Sequence, residues 1–182
     1  NMSKEIIVKA SQRMKKAITA LNHDLSTVRT GRANPNMLDR ISVDYWGSPT
    51  PVNQVASVQV VEGRQLVIKP YDKSTLKNIE HAIFESDLGI TPQNDGNVIR
   101  LVIPPLTEDR RKEYCKVVSK MAEQAKVAIR NIRRDANDEI KKGDFSEDEA
   151  KRATEKVQKK TDEFVKKVDS IAKDKEKEIM TV

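Results

Sequence analysis

Apolar residues in the first part of the chain recur at alternating steps of three and four, the spacing that places them on one face of an α-helix. The positions are Ile7, Ala10, Met14, Ala17 (with Ile18), Leu21, Leu25 and Val28. Ser3 is the predicted N-cap, and we expect the helix to end near Thr30. Gly31 can adopt the left-handed conformation that often follows a helix, and Pro35 prevents the helix from continuing. A helix with a single apolar stripe is not stable alone, so it needs partners.

Two further helical patterns occupy the second half of the chain. The first runs from about Thr107 to Lys142 and ends at Gly143, and Ser146 and Glu149 form a predicted capping box that starts the second. Both patterns have apolar residues at helical spacing: Tyr114, Val118, Met121, Ala122, Ala125, Ile129, Ile132, Ala136 and Ile140 in the first, and Ala150, Ala153, Val157, Phe164, Val168, Ile171 and Ile179 in the second. Three such stripes joined by short breaks predict an elongated three-helix bundle.

The segment between the first and second long helices has a different pattern. Alternating and β-branched residues predict short strands at 41–45, 55–61, 65–69 and 97–103, whereas 47–51 is rich in turn residues. Ser74 is the predicted N-cap of one helix, which Leu88 and Gly89 close. We therefore predict a small β-rich domain that contains one helix.

These patterns together predict an α+β protein in which the three-helix bundle carries the β-rich domain as an insertion. The bundle comprises 1–30 and 106–182, and the inserted domain comprises 31–105. Two connections join them, at 30–35 and at 103–106.

Both connections contain candidate hinge residues. Thr30 and Gly31 lie in the first connection, and the stiff pair Pro104 and Pro105 lies in the second. Two such connections side by side predict a hinge with a restricted arc. An ordinary rigid domain boundary is the alternative interpretation.

Charge distinguishes the second long helix from the rest of the chain. A net charge of +6 and a pI near 9.3 favour anionic partners such as nucleic acid or acidic protein surfaces. Arg130, Arg133 and Arg134 lie within about one turn, although like charges four residues apart destabilise an isolated helix. Further cations extend this basic stripe: Lys112, Lys116, Lys126 and Lys141. Glu123 is the only acid within the basic stripe, which indicates a surface for a polyanion.

A solvated helix face is the alternative interpretation of the basic stripe. Lysine and arginine are good helix formers, and Asp138 lies four residues after Arg134 as a possible ion-pair partner. The residues alone leave both interpretations open.

The candidate chemistry of the chain does not point to catalysis. His23 and His81 have no neighbours in sequence that suggest a metal site or a triad, and there is no glycine-rich phosphate loop. Cys115 is expected to be a buried, inert thiol. The residues 94–96 resemble part of a calcium loop, but a hairpin turn explains them better. We therefore expect no enzyme activity, no catalytic or metal-binding residues and no cofactor.

The hydropathy of the sequence gives an expectation for the cellular compartment of the protein. No apolar run is long enough to span a bilayer, and the N-terminal residues lack the apolar core of a signal peptide. We expect a cytoplasmic protein without a membrane partner.

Five motifs occur in the order seen in the bacterial ribosome recycling factor family, and together they extend over essentially the whole chain. They are Arg29-Thr-Gly-Arg-Ala-Asn-Pro35, Ser86-Asp-Leu-Gly-Ile90, Pro104-Pro-Leu-Thr-Glu-Asp-Arg-Arg111, Arg130-Asn-Ile-Arg-Arg-Asp-Ala-Asn137 and Ser146-Glu-Asp-Glu149. The first and fourth motifs are specific to that family. On these residues the chain resembles a ribosome recycling factor.

The resemblance implies an L-shaped molecule with a mobile hinge between the bundle and the inserted domain. It implies a factor that enters the ribosome after peptide release and lies on the large subunit. There it works with elongation factor G, which hydrolyses GTP, to split the ribosome into subunits and release mRNA and tRNA. The resemblance also implies that Arg130 and Arg133 on the bundle, with Arg29 and Arg32 near the hinge, contact ribosomal RNA. Arg134 matches the same motif.

One departure from the family pattern concerns the turn between the second and third long helices. The segment 140–145 is shorter than in many relatives by about one helical turn, so we expect a blunter bundle tip.

A basic helical scaffold or RNA chaperone, binding many RNAs without a defined target, is the competing interpretation from another functional class. The apolar stripes could also pair between two copies of the chain. The short connections with their prolines favour packing within one chain, so we expect a monomer.

Overall fold

The computed structural model describes residues 2–181, which divide into two compact units. The helical unit comprises 2–28 and 108–181, and the inserted unit comprises 29–107. The helices are α1 (Met2–Ser26), α2 (Val52–Val55), α3 (Leu76–Glu85), α4 (Glu108–Lys142) and α5 (Glu147–Met180). The strands are β1 (Ser42–Tyr45), β2 (Ser48–Pro51), β3 (Ala56–Val61), β4 (Gln65–Pro70), β5 (Gln93–Asn94) and β6 (Ile99–Val102). Two short 3₁₀ helices span Pro35–Leu38 and Lys73–Thr75.

In the helical unit, α1, α4 and α5 each pack against the other two, which confirms the predicted three-helix bundle and the α+β class. Met14, Ile129 and Val168 are completely buried, one from each helix. The buried positions on α1 and α4 follow the predicted stripes. Thr161 on α5 was not predicted to be buried, and its hydroxyl donates to the Val157 carbonyl at 2.8 Å, which satisfies it inside the core.

The ends of the long helices differ from the predictions in two places. Helix α1 ends at Ser26 rather than near Thr30, because the hydroxyls of Ser26 and Thr27 donate to carbonyls of the last turn. Ser3 is not an N-cap: it lies inside α1, is buried, and donates to the Glu149 carboxylate at 3.3 Å. Ser146 does cap α5 by accepting from the Glu149 amide at 3.1 Å.

The inserted unit has a two-stranded sheet and a four-stranded antiparallel sheet with the strand order β3-β4-β6-β5. Helix α3 packs against β1, and alternate residues of β4 and β6 enter one core with it. That core contains Leu66, Ile68, Ile79, Ile99 and Leu101, all fully buried. Burial alternates along both strands, as expected for strands with one face in the core.

Three predictions in the inserted unit were wrong. Helix α3 ends at Glu85, before Leu88 and Gly89, and the hydroxyl of the next residue, Ser86, donates to the Ile83 carbonyl at 2.6 Å. The segment 47–51, expected to be a turn, contains β2, and the turn itself falls at Trp46 and Gly47, which both have positive φ angles. Proline is tolerated in β2 because this strand pairs on one side only, with β1. Ser74 does not cap α3: Asp72 accepts from the Ser74 amide at 3.0 Å, and a 3₁₀ turn precedes the helix.

Within the inserted unit, the two connecting segments lie close together. Gly31 has a φ of +80°, and a Cβ atom placed there would lie 3.5 Å from the Leu106 amide nitrogen. Beyond these residues both segments are tied to the β3–β4 turn. The Ala33 amide donates to the Gly63 carbonyl and the Ile103 amide donates to the Arg64 carbonyl, both at 2.8 Å. Of the predicted connection, 33–35 and residue 103 are therefore part of the folded unit.

Candidate nucleic-acid interface

The net positive charge of the protein resides on the helical unit. The inserted unit contains eight Lys or Arg residues and eight Asp or Glu residues, so its formal charges cancel and the whole +6 belongs to the helical unit. An anionic partner is therefore attracted to the bundle rather than to the inserted unit.

One flank of α4 faces α1 and carries acids. Asp135 pairs with Arg13 of α1 at 3.0 Å, and Glu139 pairs with Lys9 of α1 at 3.1 Å. Exposed pairs of this kind add little stability. Their effect is on side-chain position, because they hold Asp135 and Glu139 against α1 and away from the basic stripe.

The opposite flank of α4 faces α5 through a row of polar contacts. Ser119, Lys126 and Arg133 lie seven residues apart and so face the same way. We call these three residues the inner row. Ser119 donates to Glu176 at 3.0 Å, Lys126 forms an ion pair with Asp169, and Arg133 Nη1 donates to Gln158 Oε1 at 3.4 Å.

The remaining cations of the basic stripe lie outside the inner row, on the solvent side of α4. Arg130 has Glu123 at 3.7 Å, and within residues 2–181 Arg134 has only Asn131, at 3.5 Å. The ion pair considered between Arg134 and Asp138 is not formed. These long contacts leave both guanidinium groups able to bind a further anion.

The predicted supporting lysines differ in their exposure and in their ion pairs. Lys112 is 3.5 Å from Glu108, one turn earlier on the exposed surface. Lys116 and Lys141 are exposed and form no ion pair within residues 2–181. Lys126 belongs to the α4–α5 contact, with only 19% of its side chain exposed, so it supports the bundle rather than the open surface.

Arg29 and Arg32 belong to the inserted unit. The Arg29 guanidinium donates to the Leu88 carbonyl, just after α3, so this side chain has a structural contact inside the unit. The Arg32 side chain is exposed and has no hydrogen-bond or ion-pair partner among the described residues. Of these two, Arg32 is the one whose charge is available to a partner.

Among the other titratable groups, Cys115 is only partly buried, whereas a buried thiol was predicted. Desolvation by partial burial, together with nearby Glu176, raises the pKa of the Cys115 thiol, which disfavours the reactive thiolate form. His81 contacts Glu85 on the surface at 3.2 Å. Asp95 accepts from the amides of Asn97 and Val98, so its carboxylate is committed to a turn. No cluster of three or more metal-ligating side chains occurs in the described part of the chain.

The contribution of α5 to this surface was missed from the sequence. Asp162, Asp169 and Glu176 also lie seven residues apart, and they run antiparallel to the inner row of α4. The matching spacing of seven on both helices is the signal that could have revealed the pairing. Separately, no helix within residues 2–181 is long and apolar enough to cross a membrane.

Comparisons with known proteins agree with this architecture. The family model described as "Ribosome recycling factor" matches residues 21–180. The ribosome-recycling factor of Bacillus subtilis (strain 168) is 58% identical over 185 aligned positions, which cover 100% of both chains. That of Geobacillus kaustophilus (strain HTA426) is 56% identical with the same coverage.

Solved structures agree as well. A solution structure of the ribosome recycling factor has a TM-score of 0.79 and 39% identity, covering 100% of this chain and 99% of the other. A T. thermophilus ribosome recycling factor, presented with E. coli elongation factor G bound to the E. coli post-termination complex, has a TM-score of 0.67 and 46% identity over 98% of this chain and 99% of that one.

The fold thus defines an α+β protein in which a small sheet-containing unit is inserted into a bundle of three long helices. The comparisons make the assignment specific: the chain belongs to the ribosome recycling factor family. Members of this family are translation factors and not enzymes.

Proposed function

We propose that this protein recycles ribosomes after termination by anchoring its helical unit to ribosomal RNA of the large subunit through the basic stripe of α4. Elongation factor G then acts on the bound factor, and its hydrolysis of GTP drives separation of the subunits and release of mRNA and tRNA. The observation that carries the proposal is the segregation of charge. The entire net charge lies on the helical unit, and the acids Asp135 and Glu139 are paired with α1, away from the stripe.

Phosphate contacts suit this role because they position a protein on RNA without reading bases. Arg130 and Arg134 present their guanidinium groups to solvent, and Lys116 and Lys141 extend the surface along α4. An arginine can bind a phosphate through two parallel hydrogen bonds, which fixes orientation as well as distance. Arg32 provides a further, separate cation on the inserted unit.

The connections provide the second part of the proposed mechanism. The residues 29–32 and 104–107 remain outside the backbone hydrogen bonds that tie Ala33 and Ile103 to the β3–β4 turn. We propose that these short segments form a hinge of limited arc, so that force on the inserted unit is transmitted to the anchored bundle. A rigid boundary remains the competing proposal.

The test is sedimentation with purified large ribosomal subunits across a salt series. The variants are Arg133→Ala and the triple change of Arg130, Arg133 and Arg134 to Ala. We expect the triple variant to bind more weakly and its log affinity to fall less steeply with log salt. The slope should decrease by about 0.7–0.9 for each phosphate that the variant no longer neutralises.

The control removes the same number of charges elsewhere on the same unit. Lys159, Lys166 and Lys173 lie on the exposed side of α5 and form no ion pair within residues 2–181. Their triple change to Ala should leave affinity and slope close to those of the unaltered protein. Equal losses in both triple variants would show that only net charge matters, as for a general RNA chaperone.

Two measurements address the remaining parts of the proposal. Competition by an unrelated structured RNA should not displace the protein from large subunits at equal concentration, whereas a general RNA-binding scaffold would be displaced. A concentration series of mass measurements should give the mass of one chain, since we propose a monomer. Because ribosomes translate in the cytoplasm, we also propose that the protein acts there.

A further inference from the structure

The two cations of the inner row contact different kinds of side chain on α5. Lys126 pairs with the carboxylate of Asp169 and is largely covered. Arg133 instead contacts the neutral amide of Gln158, with Nη1 and Oε1 separated by 3.4 Å. A carboxylate next to a cation offsets much of the attraction that the cation exerts on a third group, and an amide does not. Arg133 is therefore held by α5 without losing its charge.

Gln158 is itself held from the other side. Its Nε2 donates to Asp162 Oδ1 at 2.9 Å, one turn further along α5. An amide has donors on one atom and acceptors on the other, so the bond to Asp162 turns Oε1 towards Arg133. The result is a chain of hydrogen bonds in which Gln158 separates the guanidinium of Arg133 from the carboxylate of Asp162.

The orientation of Arg133 matters because a long side chain loses conformational freedom when it binds a ligand. A guanidinium has five N–H donors, and the contact with Gln158 uses one of them. The other donors can bind a phosphate while the side chain is already restricted.

We propose that Gln158 is a positioning residue for the RNA contact of Arg133, and that its neutrality keeps the charge of Arg133 available. The inference rests on the proposed function, in which Arg133 binds ribosomal RNA. It places two requirements on position 158: the side chain must accept a hydrogen bond, and it must not carry a negative charge.

Two substitutions separate these properties in the full-length protein. Gln158→Ala removes the hydrogen bond but leaves the charge of Arg133, so affinity for purified large subunits should fall about 2- to 5-fold with nearly unchanged salt slope. Gln158→Glu preserves an acceptor but creates an ion pair, so the salt slope should become shallower by the equivalent of roughly one phosphate, about 0.7–0.9.

Gln124 offers a matched control. It is exposed on α4, on the side away from the basic stripe, and its side chain has no hydrogen-bond partner within the described chain. Gln124→Ala and Gln124→Glu make the same chemical changes in the same helical unit. Both should bind with affinity and salt slope within experimental error of the unaltered protein, which shows that position matters and not composition alone.

A double-mutant cycle separates positioning from a purely structural role. In the Arg133→Ala background, Gln158→Ala should cause no further decrease in binding, because the residue that it positions is gone. A decrease of equal size in both backgrounds, accompanied by a lower melting temperature, would show that Gln158 only joins α4 to α5 and would overturn the inference.

Failure of the inference and failure of the proposed function give different results. If Arg133→Ala binds large subunits normally, the assignment of Arg133 to RNA binding is wrong, and the role of Gln158 falls with it. If Arg133→Ala binds weakly while both Gln158 variants bind normally, the function stands and the positioning role is refuted.

Discussion

Arg29 is the predicted RNA-binding residue whose structural contact most clearly competes with that role. Its guanidinium donates to the carbonyl of Leu88, a residue that is buried in the core of the inserted unit. Arg29→Ala removes the donor and leaves the carbonyl without its partner. A hydrogen bond to a charged group contributes about 1.5–3 kcal/mol, and partial exposure of this pair places the expected loss at about 1.5 kcal/mol.

This loss should be visible as a lower melting temperature of the inserted unit. A domain of 60–100 residues loses about 4–8 °C for each kcal/mol, so the expected decrease is about 6–12 °C. Trp46 is the only tryptophan of the chain and lies in this unit, next to Tyr45. Trp46 is largely exposed, but its ordered ring contact with Tyr45 is lost on unfolding, so the near-UV circular dichroism band of Trp46 follows unfolding of the inserted unit.

Arg32→Ala is the control for Arg29→Ala. It removes the same charge three residues later, but its side chain has no partner among residues 2–181, so its melting temperature should change by less than about 2 °C. Hydrogen exchange provides a second readout, since the amides of 86–90 should exchange faster only in Arg29→Ala. If both variants melt at the same temperature, the contact with Leu88 does not stabilise the unit and the reasoning fails.

Three further outcomes are expected. Gly143→Ala should cost about 1–2 kcal/mol in the helical unit, measured by far-UV circular dichroism, because the new Cβ would lie 2.2 Å from the Phe145 ring. Lys175→Met should stabilise the helical unit by about 0.5 kcal/mol at neutral pH, a small gain because Lys175 is only partly buried. Glu123→Gln should tighten binding to large subunits about 2- to 4-fold, since it removes the acid beside Arg130.

The Lys175 prediction has a defined pH dependence. Burial lowers the pKa of this amine in the folded state from its ordinary value of 10.5, so the unfolded chain binds the proton more tightly. Stability of the unaltered protein should therefore rise with pH through the range just below 10.5, whereas Lys175→Met should lack this rise. If the melting temperatures of the two proteins change with pH in the same way across that range, the assignment is contradicted.

The other two predictions also have contradicting outcomes. A Gly143→Ala protein with an unchanged melting temperature would mean that the Phe145 ring moves at no cost, and Gly143→Ser should then be tolerated too. Glu113→Gln, elsewhere on α4, is the control for Glu123→Gln. If Glu123→Gln binds no more tightly than this control, Glu123 does not oppose RNA binding.

Much of the helical unit could be predicted because its determinants are local. The steps of three and four that contain Met14, Ile129 and Val168 place these residues on the buried faces, whatever the helices pack against. Boundaries were harder to predict, since the end of α1 depends on whether Ser26 and Thr27 donate to the last carbonyls. The strand β2 was missed because its prolines are typical of a turn, and only its pairing with β1 makes it a strand.

The sequence by itself determined which residues are apolar, which stretches form the three long helices, and that three arginines gather on one turn of α4. These follow from backbone propensity and helical periodicity, which act within a few residues. The tertiary structure decided which of those charges remain available, because that depends on neighbours distant in sequence. Asp169 covers Lys126 and Leu88 engages Arg29, whereas Arg130 and Arg134 face solvent and the neutral amide of Gln158 holds Arg133 without offsetting its charge. Charge is a property of composition, but its availability is a property of packing.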